Sequence, residues 1–167
     1  MKKILRVTLA LLMATCLLFA FTACSDDDDD DSREFTEEDE EIVGAIMDAV
    51  TEAIEDEKYT ASVSGLTVTF TLQSCSYTET SYTDSSDVTV TLQSGSTIKY
   101  KFDSSAATSG TITYDIDAVV DGTSYDFYLK CYYSASGGIT ISKVELDGVT
   151  LTGGEEFLTS SARSIAG

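Results

Sequence analysis

From Tyr59 onward the chain is written in a period of two. Leu66, Val68, Phe70 and Leu72 alternate with threonines, as do Val88, Val90 and Leu92. Ile98, Tyr100 and Phe102 alternate with Lys99 and Lys101. Ile112, Tyr114, Ile116 and Ala118 alternate with Thr113, Asp115 and Asp117, and Tyr125, Phe127, Leu129, Cys131 and Tyr133 with Asp126, Tyr128, Lys130 and Tyr132. Successive side chains of a strand point to opposite faces, so this alternation predicts half-buried antiparallel sheet with one wet face. A weaker strand over 75–82 puts Cys75 and Tyr77 inward. In the segment 138–146 the parity changes between Ile141 and Val144, which predicts a bulge near Ser142. Asp121-Gly122 and Asp147-Gly148 are strong hairpin signals, and Ser94-Gly95 and Ser136-Gly137-Gly138 mark further turns. Short links make neighbouring strands antiparallel, which predicts a meander of about seven or eight strands.

Residues 35–58 keep a different rhythm. Val43, Ile46, Met47, Val50 and Ile54 recur at helical spacing, and the opposite face is almost wholly acidic. Thr36 and Asp39 form a near capping box. A sheet with one apolar face must curl or be covered. The expected fold is therefore mainly β (α+β): an antiparallel meander, strongly curved or closed into an open barrel, with one N-terminal amphipathic helix packed on it.

The net charge is −19 and very uneven: residues 24–57 hold seventeen acids and one base, residues 58–167 twelve acids and six bases. No basic stripe is visible along the chain, which argues against nucleic acid and against attraction to anionic head groups. Histidine is absent, and with it the commonest general base and metal ligand. No nucleophile elbow, phosphate-cradling loop or metal-ligand spacing occurs. An enzyme, a metal and a cofactor are therefore not expected. Ser96 and Lys99 match S-x-x-K, but strand positions three apart face opposite sides. Asp115 and Asp117 share a strand face as a carboxylate pair, read here as solvated. The rows Thr67, Thr69, Thr71 and Thr89, Thr91 offer a hydroxyl array, which is also what a wet strand face favours.

The first thirty residues are an address. Lys2, Lys3 and Arg6 precede the apolar run 9–23, which ends in small residues beside Cys24. That is the layout of a secretory signal. The stretch Phe21-Thr22-Ala23-Cys24 resembles the lipobox of bacterial lipoproteins, although Phe21 stands where an aliphatic residue is commoner. The resemblance implies cleavage before Cys24, a diacylglycerol on its sulfur and an acylated amine, so that several chains together make a stable anchor. Cys24-Ser25-Asp26-Asp27-Asp28 looks like the signal that exports lipoproteins to the outer face of some diderm bacteria. These features predict a signal peptide over 1–23, an acidic disordered tether over 24–34, one domain over 35–158 and a polar tail over 159–167. The expected location is the cell envelope, at the outer membrane or cell surface.

Two cysteines remain in the domain. The setting is oxidising and parity puts Cys75 and Cys131 on the inner face, where a disulfide and two buried thiols both fit. Exposed aromatics among polar neighbours suit sugar or protein recognition, which marks the outward Asp126, Tyr128, Lys130 and Tyr132 of one strand. The expected function is a lipid-anchored, non-enzymatic binding domain whose partner is a protein or glycan. The alternative is a lipocalin-like carrier of a small apolar ligand, resting on the many inward Tyr, Phe and Ile of a sheet that closes.

Overall fold

The computed structural model describes residues 32–80, 86–134 and 138–153. The signal peptide, Cys24, the aspartates 26–31 and the tail lie outside the described residues. The chain is mainly β with one helix among the described residues. In order it runs β1 (Ser32–Glu34), α1 (Glu37–Glu55), β2 (Tyr59–Ser64), β3 (Thr67–Leu72), β4 (Cys75–Thr80), β5 (Asp87–Leu92), β6 (Thr97–Phe102), β7 (Ser109–Val120), β8 (Thr123–Ser134), β9 (Gly138–Leu146) and β10 (Val149–Thr152).

The helix starts where its cap dictates. The Asp39 backbone N–H donates to Thr36 Oγ1 at 3.3 Å, and the Thr36 backbone N–H donates to Asp39 Oδ2 at 2.9 Å. Four acids in the first turn complement the helix dipole. Val43, Ile46, Ala49, Val50 and Ala53 are buried along one stripe, against β4, β5 and β7. At the other end Glu57 turns left-handed (φ 58°) and the Lys58 N–H closes on the Ala53 carbonyl at 2.8 Å.

The sheet departs from the expected meander in three ways. It has ten strands rather than seven or eight, because β1, β2 and β10 are too short or too polar to show the alternation. It is mixed rather than wholly antiparallel, because β1 pairs parallel with β10. The tether, expected to reach Glu34, therefore gives way to strand at Ser32. Finally, the order is β1-β10-β9-β8-β7-β6-β3-β2, with β5 on β7 and β4 on β5 as a branch. The sheet does not close: β1 and β2 end the path and β4 ends the branch.

The fork lies on β7, which β8 accompanies over its whole length. On its other side β6 pairs with residues 110–115 and β5 with residues 118–120. Ser96 sits in the gap and is 2 % exposed. Its Oγ accepts the Asp117 N–H at 3.0 Å and donates to the Gln93 carbonyl at 2.9 Å. A strand that splits leaves backbone groups without ladder partners, and the buried hydroxyl supplies them.

Elsewhere the alternation is borne out except at Leu66, which lies in the turn between β2 and β3 and is 44 % exposed. Phe70, Leu72, Val90, Leu92, Ile98, Tyr100, Ile112, Ile116, Phe127 and Leu129 all enter one continuous core. The bulge on β9 falls where parity placed it: Lys130 pairs with Lys143 and Cys131 with Ile141, so Ser142 is left out and both Ile141 and Val144 are buried. Asp121-Gly122 and Asp147-Gly148 are two-residue loops with all four φ angles positive. The disulfide is not formed, and Cys75 instead donates to the Gln73 carbonyl at 3.4 Å. Its physical reason is register: β4 and β8 are separated by β5 and β7, and Cys131 lies six residues beyond the position on β8 that aligns with Cys75.

Candidate functional site

The four outward residues of β8 sit on four successive cross-strand rows. Directly opposite residues share a face, so the register lists what surrounds each. Asp126 lies beside Asp117 of β7, and its N–H donates to Asp147 Oδ1 at 2.8 Å. Tyr128 lies between Asp115 of β7 and Glu145 of β9. Lys130 lies between Thr113 of β7, itself beside Lys99 of β6, and Lys143 of β9. Tyr132 lies between Thr111, itself beside Lys101, and Thr140.

The outward face is therefore polarised along the strands. One end is acidic: Asp117, Asp126 and Asp147, then Asp115 and Glu145. The other gathers Lys99, Lys101, Lys130 and Lys143 with Tyr132, while Tyr128 lies in the row of Asp115 and Glu145. With strands roughly 4.8 Å apart, Lys99 and Lys130 are about 10 Å apart across the sheet and Lys130 and Lys143 about 5 Å. Thr67 and Thr69 of β3 extend the lysine rows with hydroxyls. The arrangement was not legible along the chain because its four lysines come from three strands, and only the register aligns them. The pairing of Lys99 with Thr113, two residues from an Asp-rich segment, carries no local signal of it.

The electrostatics follow the rows. Burial, and then the carboxylates of Asp117, Asp115, Asp147 and Glu145, push the Asp126 carboxyl above its ordinary value. Asp103, in the loop after β6, is held below its ordinary value by hydrogen bonds from Ser109 Oγ (2.7 Å) and the Tyr132 hydroxyl (2.9 Å). That second bond fixes a ring that is 41 % exposed. Lys143 pairs with Glu145 at 3.2 Å. Lys130 and Lys143 are like charges directly opposite, an arrangement that costs stability.

An open groove of about 560 Å³ borders the acidic end, lined by Gln93, Asp117, Ser124, Tyr125, Asp126 and Asp147 among others. Among the described residues no group of three His, Cys, Asp or Glu side chains is placed to hold a metal ion. The other candidates separate. Ser96 is buried at the fork while Lys99 is exposed on the outer face. The two threonine rows are on β3 and β5, which are not neighbours, so no continuous array forms. Asp115 and Asp117 are both exposed.

Comparison with protein-family models, with curated protein sequences and with solved structures finds no match. No described helix is long and apolar enough to cross a membrane.

Proposed function

We propose that the chain is a lipid-anchored, non-enzymatic envelope lipoprotein whose outward β6–β9 face binds an acidic glycan. The lipobox-like residues at Cys24 and the aspartates behind it support the anchoring and a place at the outer membrane or cell surface. The observation that carries the binding reading is the row of Lys99, Lys130 and Lys143 beside Lys101, in a chain of net charge −19. Lys143 already pairs with Glu145 at 3.2 Å, and an anion drawn to the row relieves the remaining repulsion between Lys130 and Lys143. Tyrosine rings and threonine hydroxyls on the same face suit a sugar polymer carrying carboxylates. The reading includes a sheet curved about α1. The side chains of α1 already occupy apolar sheet surface that a carrier would need for its ligand.

Titration with polygalacturonate, followed by calorimetry, tests this. Saturable binding is expected, weaker at high salt and absent with a neutral glucan. Lys99→Glu and Lys130→Glu each weaken it at least about tenfold, and Tyr132→Ala weakens it while the fold is kept. Binding that survives both charge reversals, or no binding at all, contradicts the proposal.

A further inference from the structure

We infer that β2 is the contact through which two copies of this chain associate edge to edge. The sheet has three edges among the described residues. β1 carries Arg33 and Glu34, and β4 carries Glu79. β2, with sequence YTASVS, carries no charge and no proline, and residues 59–78 form an uncharged run in a chain with 23 % charged residues. Natural sheets guard exposed edges with charge, proline, bulges or a covering element. Among the described residues none of these protects β2, whose residues 60–64 are all exposed.

The hydrogen-bond parity says which groups are on offer. The Gln73 N–H donates to the Lys58 carbonyl at 2.8 Å, which makes Lys58 and Gln73 a bonded pair. Bonded and non-bonded pairs alternate in an antiparallel ladder, so Thr60, Ser62 and Ser64 turn their backbone groups toward β3. The N–H and C=O groups of Tyr59, Ala61 and Val63 then point outward from the edge. No described strand meets them.

The occupant that fits is a second copy, because the strand is its own complement. Antiparallel pairing centred on Ala61 sets Ala61 against Ala61, Tyr59 against Val63 and Thr60 against Ser62. Each outward pair exchanges both of its backbone hydrogen bonds. Tyr59, Ala61 and Val63 share the face of Phe70, onto which the Tyr59 ring packs edge-on at 5.3 Å. Val63 is 73 % exposed on that face, and in the pair the Tyr59 ring of the second copy covers it. Polar meets polar on the other face. Glu55, Asp56 and Glu57 stand just before the strand, but residues 59–64 carry no charge, so pairing along the strand sets no acid against an acid. Relating the copies by a two-fold axis closes the assembly as a dimer. The contact is one strand wide and falls in the weak, concentration-dependent class. Copies held on one membrane raise each other's effective concentration.

The test uses the full chain in density-matched detergent, with mass read by sedimentation across a concentration series. A two-chain mass is expected for the wild type at high concentration. Val63→Lys and Ala61→Pro are expected to weaken association at least about tenfold. Position 63 is outside the core, and the Ala61 N–H makes no bond to β3, so both variants keep the β-sheet circular dichroism. Independently of any variant, the amide exchange of Ala61 and Val63 is expected to slow as concentration rises, while that of Ser62 does not change. A one-chain mass at every concentration overturns the inference. So does an oligomer that both variants leave intact, or exchange at Ala61 and Val63 that is indifferent to concentration.

Discussion

Arg33 is where local chemistry and the long-range fold meet. Its guanidinium grips both carboxylate oxygens of Asp39, one of them at 2.6 Å, and Asp39 is 2 % exposed. Burial alone raises that carboxyl, but the bonds from Arg33 and Thr36 outweigh it and hold it below its ordinary value. A carboxyl depressed in the folded state stabilises above its unfolded value, near 3.9, and the contribution is lost as pH falls through the folded value. Arg33→Met removes the cation and leaves the charge buried, at a cost of about 2–3 kcal/mol at neutral pH. Chemical denaturation should show that the variant and the wild type converge in acid, where Asp39 is protonated. Gly110 is a second residue of this kind. A Cβ there would stand 2.3 Å from the Lys101 carbonyl oxygen, and the rings of Phe102 and Tyr133 meet edge-on at 6.5 Å beside it. Gly110→Ala should cost about 1–3 kcal/mol in the same measurement, through displacement of β6. Asp126 titrates with the opposite sign to Asp39. Its carboxyl is raised, so ionisation opposes folding, and Asp126→Asn should stabilise by a few tenths of a kcal/mol at neutral pH and not at all in acid.

At the scale of elements, the two Asp-Gly turns do more than reverse the chain. Asp121 continues the ladder of β7 against β5: its N–H donates to the Thr89 carbonyl at 2.9 Å, and its Oδ1 accepts the Thr89 N–H at 2.8 Å. Asp147 does the same against Asp126 on β8, with both bonds at 2.8 Å. In each case a side-chain oxygen replaces a backbone carbonyl that the turn has carried away. Asp147→Ala should therefore cost about 1–2 kcal/mol, measured by thermal unfolding, while Asp147→Asn keeps the acceptor and costs less. Ser96→Ala leaves the Asp117 N–H buried without its acceptor and should cost about 1–3 kcal/mol. The turns, the cap at Thr36, the inward parity and the bulge at Ser142 were legible in the sequence because each depends on residues within a few positions of each other. The fork was not: β5 and β6 read alike, and only their competition for the one side of β7 divides them. β2 lies inside the period-two region but is not marked as a strand of its own, because residues 60–64 are exposed on both faces and carry no alternation. Parity leaves the disulfide and two thiols both open for the same long-range reason, since it names a face and not a distance, and the register separates the two cysteines.

Across the whole molecule, charge is sorted by place. The acids crowd the segment before the sheet, the outer side of α1 and one end of the outward face, while four lysines hold the other end. The four candidates on β8 were found by parity alone, yet parity could not show that Lys130 belongs to a row and Asp126 to its opposite. The account rests on that row. The measurement that tests it most directly is amide chemical-shift mapping of the chain titrated with polygalacturonate. The predicted result is a set of shifts centred on Lys99, Thr113, Lys130 and Lys143, extending to Tyr132, with the groove around Asp117 and Asp126 silent. Shifts centred on that groove, or none at a saturating concentration, would contradict it.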